Sequence, residues 1–208
     1  MTAIQSAWAL VKENKRAYLV LNVLYYGLVL AFMGVAAFNR PLQDQLLETV
    51  GQAFLSGPLA LVGEAYLNAK VLTAIGLTFL VNLFLASLIF ITLPSLIIPG
   101  VGILMGVYRA ALWGLIFYPG HPDMQLVMIP HSLTLLLEGQ AYILVMFAVY
   151  LHVRAWFNPA SAGVEGHWRG YLEGLKRTGK IYLLVVLTLL VAAIYEVLEV
   201  VLLAKFIS

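Results

Sequence analysis

Apolar residues run in long stretches along this chain, and charged residues collect in the segments between them. A helix that crosses a bilayer needs about 20 consecutive, mostly apolar residues. Five stretches meet that requirement, at about 17–38, 71–93, 101–118, 126–153 and 181–204. Asn39-Arg40-Pro41 closes the first, Pro94 the second and Pro119-Gly120 the third. The uncharged stretch Pro94 to Gly100 reads as a tight buried turn at membrane depth in preference to part of a permeation path, since non-helical backbone there must be shielded by protein or water.

Three other segments are mixed rather than apolar. Residues 1–16 set Trp8, Leu10 and Val11 against Lys12, Lys15 and Arg16, the pattern of an amphipathic helix at a membrane surface. In 41–56, Leu42, Leu46, Leu47, Val50 and Phe54 recur at helical spacing, which predicts a second surface helix. Gly57-Pro58 then turns the chain into a short segment ending near Lys70. A third surface helix is expected over 166–178, inside a polar loop from 154 to 180.

Composition agrees with this pattern. The chain of 208 residues is 62% hydrophobic and 11% charged, against about 25% charged in a soluble domain. The fold class expected is therefore an all-α integral membrane protein, a bundle of about five transmembrane helices in one polytopic domain over 1–208. Its first partner is the lipid bilayer. A net charge of +2 argues against nucleic acid, and the lack of cysteine removes disulfides and thiolate sites.

Cytoplasmic loops are enriched in Lys and Arg. If the N-terminus is cytoplasmic, that side holds Lys12, Lys15, Arg16, Arg154, Arg169, Lys176, Arg177 and Lys180, and the other side holds Arg40, Lys70 and Lys205. This bias predicts a multi-pass protein of the cell (inner) membrane, N-terminus inside and C-terminus outside.

Ionisable groups at membrane depth are costly and persist by pairing or by lining a wet cavity. Arg109, His131, Glu138, Glu196 and Glu199 are such groups here, with Asn82 and Gln140 as neutral neighbours. Counting about 1.5 Å per residue places Arg109, Glu138 and Asn82 near mid-membrane, and His131 level with Glu196 in the outer third. The expected pairs are Arg109 with Glu138 and His131 with Glu196. Glu199 reads as a solvated residue at the helix end. Such pairs can dock helices or carry function.

Gly102, Gly106, Ala110 and Gly114 form a small-residue stripe that lets another helix approach closely. That helix can belong to this chain or to another. No Gly-x-Ser-x-Gly or His-Glu-x-x-His motif occurs, and no enzyme activity, metal or cofactor is expected.

Ile129-Pro130-His131, Glu138 and Ala141 in the fourth apolar stretch, and Ala192-Ala193-Ile194-Tyr195-Glu196 in the fifth, resemble the stage II sporulation protein M family. The resemblance covers about residues 70–205. In that family the glutamate follows the histidine by about one turn, and here by two. Asn-Gly often joins its second and third spans, where this chain has Pro94 to Gly100. The namesake is a membrane scaffold that works with peptidoglycan-remodelling proteins, so the resemblance implies a non-catalytic scaffold or accessory subunit with a membrane-protein partner or a homo-oligomeric state. The ionisable residues offer a different expectation, a small transporter or channel-like protein.

Overall fold

The computed structural model describes residues 2–207, with side chains described through Leu202. Met1, Ser208 and the side chain of Lys205 lie outside the described residues. Every regular element among the described residues is helical.

Helix α1, Ala3–Glu13, starts at a capping box in which Thr2 and Gln5 bond each other's backbone N–H. A break at Asn14 separates it from α2, Lys15–Phe38. Asn39 caps α3, Arg40–Leu55, and Pro41 occupies its first turn, where a missing N–H costs nothing. Helix α4 is Ala60–Leu67. Helix α5 runs Val71–Ile97, α6 Val101–Ile116, α7 Met128–Phe157 and α8 His167–Ile207.

Helices α2, α5, α7 and α8 are long and apolar enough to cross a membrane. The pair α3–α4, bent by 81°, qualifies together as a fifth. Helix α6 is apolar but has 16 residues, about 24 Å, short of the roughly 30 Å hydrocarbon layer.

Side-chain contacts give the helix directions. Asn14 at the start of α2 meets Arg154 at the end of α7, at 2.6 Å, while Tyr26 further along α2 reaches the Leu136 carbonyl. These two helices are antiparallel. Helix α8 is antiparallel to α7 as well: Thr178 bonds the Ala148 carbonyl and Tyr195 the Pro130 carbonyl. Tyr182 and Tyr171 of α8 meet Ser87 and Leu96 of α5 in reverse order. In α6, Gly106 faces Met146 and Arg109 faces Tyr142. Helices α2, α6 and α8 therefore point one way, and α5 and α7 the other.

One end of the bundle is basic, with Lys12, Lys15, Arg16 and Arg154 around the α1–α2 break. At the opposite end α3 docks on the loop after α6. Its buried Gln43 donates to the carbonyls of Ile116 and Tyr118, Arg40 donates to the Gly120 carbonyl, and His121 Nε2 lies 2.8 Å from Asp44 Oδ1. Tyr66 of α4 meets Thr78 near the start of α5. The α3–α4 pair thus begins and ends at the same end of the bundle, so it is an excursion and not a crossing.

Helix α7 is the hub. Its most apolar stretch is 72% buried, against 22–33% for the corresponding stretches of α2, α5 and α8. The outer helices carry apolar side chains on their exposed faces, Val20, Val23 and Leu30 on α2 and Leu72 on α5 among them.

Several boundaries differ from the sequence expectation. The surface helix expected at 166–178 and the apolar stretch 181–204 form one helix of 41 residues. No proline interrupts them, and Gly170 and Gly174 bring α8 against Ala155 and His152 of α7. The polar loop 154–180 shrinks accordingly to the turn between Phe157 and His167, with a short 3-10 segment, Pro159–Ala162. Pro94 does not end the second stretch, which continues to Ile97. The reason is a π-helical segment, Val81–Thr92, just before it. A widened turn moves the carbonyl that a proline ring strikes in a regular α-helix. The break falls instead at Gly100, whose φ of 85° favours glycine. The third stretch ends at Ile116 and not 118, where Gln43 takes over its terminal carbonyls.

Candidate polar site within the helix bundle

Two faces of α7 hold the polar clusters described below. His131, Thr134, Glu138 and Tyr142 are spaced by three or four residues and share one face. Asn82 reaches that face from the π-helical segment of α5, Arg109 from α6, and Glu196 and Glu199 from α8.

The middle of the site is a relay. Arg109 Nη2 donates to Tyr142 Oη at 2.7 Å, Tyr142 Oη donates to Asn82 Oδ1 at 2.8 Å, and Asn82 Nδ2 donates to Glu138 Oε1 at 2.5 Å. Arg109 and Glu138 therefore do not form the direct ion pair expected from depth; a tyrosine and an asparagine stand between them. The guanidinium also lies over the Tyr142 ring at 4.0 Å and the Trp113 ring at 5.2 Å. Aromatic faces carry negative potential and partly offset a buried cation.

The pairing nearer the opposite end is also corrected. His131 Nδ1 lies 2.5 Å from Glu199 Oε1, and Thr134 Oγ1 donates to Glu199 Oε2 at 2.8 Å. Glu199 is 5% exposed, so it is a buried partner of His131 and not a solvated end residue. The expected partner, Glu196, sits three residues earlier, almost one helical turn. Its carboxyl lies near that of Glu138 and near the Tyr66 hydroxyl of α4. Among the described residues Glu196 Oε2 and Arg109 Nε are buried polar atoms without a bonding partner.

Gln140 does not join this cluster. It lies on another face of α7, where Nε2 donates to Asn22 Oδ1 at 2.6 Å and to Tyr26 Oη at 3.1 Å, and Oε1 accepts from Tyr18 at 2.7 Å.

The glycine stripe packs inside the chain. Gly102 lies on the Ile91 carbonyl and Ser95 of α5, Gly106 on Met146 of α7 and Gly114 on the Val29 carbonyl and Phe32 of α2. Ala110 is fully buried. The stripe seats α6 between three helices of its own chain.

Sequence reasoning missed Tyr142, Thr134 and Tyr66. The first two lie four residues on either side of Glu138, a spacing that puts side chains on one helix face, so they were findable. It also passed over His152, 1% exposed, whose ring stands edge-on to Tyr171 and Trp156 with both nitrogens unbonded.

Among the described residues, cavities lie at two places on the bundle. One, of about 300 Å³, is apolar and opens between α2 and α7 beside Tyr26, Leu30, Met33 and Leu136. The other, of about 410 Å³, lies at the basic end. Neither is lined by Asn82, Arg109, Glu138 or Glu196. Among the described residues no three His, Asp or Glu side chains are arranged to hold a metal ion. The chain matches no protein-family model, no curated protein and no solved structure.

Proposed function

We propose that this chain is an integral protein of the cell membrane, with the basic end cytoplasmic, acting as a non-catalytic scaffold or accessory subunit similar to the stage II sporulation protein M family. The observation that carries the reading is how the interior polar groups are used. Arg109, Tyr142, Asn82 and Glu138 bond one another across α5, α6 and α7, so their geometry holds helices in register. The likeness to the family gains support from the meeting of its two motif segments, where Tyr195 bonds the Pro130 carbonyl. The apolar flank groove between α2 and α7 offers lateral packing for a partner helix. The test is photo-crosslinking in cells from Leu30 and Leu136. One discrete protein adduct, lost when the groove is filled by Leu30→Trp, is the expected result. Lipid adducts alone from both positions would remove the scaffold reading.

A second reading, a small transporter or channel-like protein that moves protons, is favoured by one grouping of side chains. Three carboxyl groups, Glu138, Glu196 and Glu199, share the site with one arginine and one histidine. Two facing carboxylates repel unless a proton sits between them. Intramembrane chains of Glu and His are the material of proton relays. Infrared difference spectra should then show a protonated carboxyl band at neutral pH that Glu196→Gln abolishes, and proteoliposomes should leak protons only with Glu196 intact. Tight proteoliposomes would leave the acid pair a structural device.

A further inference from the structure

The cations at the basic end are not all used in the same way. Glu173 lies 3.4 Å from Lys176 and 3.9 Å from Arg177, so those charges are neutralised within one helix. Lys12, Lys15, Arg16 and Arg154 are different. Among the described residues none of the four has a carboxylate within ion-pair distance, and all four line the cavity of about 410 Å³ at the α1–α2 break. Glu13 is the one acid in its lining.

The cavity is built from three helices. The cavity lies at the break at Asn14, with Lys12 contributed by α1 and Lys15 and Arg16 by α2. Arg154, at the end of α7, completes the ring. Asn14 Oδ1 anchors one of its nitrogens at 2.6 Å, its only protein acceptor among the described residues. A guanidinium has five N–H donors, so most of its donors remain for a ligand. Tyr150 adds a wall from α7. Helix α1 buries Ala7, Leu10 and Val11 against the bundle and leaves Ile4 and Trp8 about half exposed. An exposed tryptophan on an amphipathic helix marks headgroup depth.

We infer that this cavity binds the phosphate headgroup of an anionic phospholipid of the cytoplasmic leaflet. The inference rests on the membrane placement proposed above, and on neither the scaffold nor the transporter reading. Four unpaired cations around one concavity attract an anion. The apolar helices that continue from it provide a surface for acyl chains, which a free phosphate does not use.

The test uses the full chain purified in mild detergent and exchanged into mixed micelles. Phosphatidylglycerol, phosphatidylcholine and inorganic phosphate are offered separately, and bound lipid is counted by native mass spectrometry. Retention of phosphatidylglycerol, with little phosphatidylcholine and no competition from millimolar phosphate, is expected. Each basic residue near a charged membrane surface contributes about fivefold to binding, so the triple variant Lys15→Gln, Arg16→Gln, Arg154→Gln should weaken retention about a hundredfold. A control triple variant, Arg169→Gln, Lys176→Gln, Arg177→Gln, removes as much charge from the same end and should retain the lipid. Equal loss in both triple variants, or none in the first, would overturn the site. Displacement by inorganic phosphate would show a free-anion site and overturn the lipid assignment. Extraction of the chain from membranes by alkaline carbonate would instead sink the membrane placement itself.

Discussion

Two polar clusters sit on different faces of α7 at nearly the same height, and they are built on different principles. The Gln140 cluster is neutral. Its amide uses both its oxygen and its nitrogen on Tyr18, Asn22 and Tyr26, Asn22 donates back to the Tyr18 carbonyl, and Tyr26 donates to the Leu136 carbonyl. The Glu138 cluster contains an arginine and facing carboxyls, and it leaves Arg109 Nε and Glu196 Oε2 unbonded. A closed neutral network rigidifies a helix pair and carries little risk, whereas a charged one is stable only while every member stays. The difference separates an α2–α7 contact made for docking from a centre whose balance of charge can change.

Substitutions can break this comparison, and the largest effect should come from the charged side. Arg109→Leu strands Glu138 and Glu196 without their cation, and removal of one partner of a buried charged set costs about 3–5 kcal/mol. The measurement is thermal melting and monodisperse yield in detergent. Adding Glu138→Leu should recover part of the loss. A double variant as poor as the two single losses combined would mean that the relay through Tyr142 and Asn82 transmits no coupling.

Tyr142→Phe should come next. It removes the single hydroxyl that links Arg109 to Asn82, at about 1.5–3 kcal/mol for a hydrogen bond to a charged group. In an Arg109→Leu background the same change should cost far less, and an undiminished cost there would show that the hydroxyl acts alone.

Gln140→Leu should be milder, at about 1–2 kcal/mol, because it leaves neutral partners unsatisfied. Replacing Asn22 by leucine as well should return part of the loss, since removing both ends of one hydrogen bond can be nearly neutral, while the Tyr18 hydroxyl stays without its acceptor. A Gln140→Leu loss larger than that of Tyr142→Phe would reverse the contrast between the clusters. Tyr18→Phe is the smallest, about 0.5–1.5 kcal/mol, and should change melting without affecting any carboxyl band in the infrared.

Much of this architecture is legible from the chain. The apolar stretches, the small-residue stripe of α6 and the ionisable residues of the interior could all be named from spacing and composition. What spacing could not supply was the partner of each polar group. Depth counting put His131 level with Glu196, yet Glu199 takes it. A slip of one helical turn is about 5 Å, larger than a hydrogen bond, and the continuous course of α8 and the π-helical segment of α5 both alter levels. Tyr142 differs: its spacing from Glu138 was legible, but a tyrosine among apolar residues reads as core until Arg109 is seen beside it.

The sequence by itself determined which segments are helical and apolar, which end collects the basic residues, and which polar residues must find partners inside. These follow from local composition and from the cost of leaving a buried polar group unbonded. The tertiary structure alone decided that Arg109 speaks to Glu138 through Tyr142 and Asn82, that Glu196 faces another acid, and that the glycine stripe is spent within the chain. Those outcomes depend on rotations and shifts of a few ångströms between helices, which packing sets and no single helix encodes.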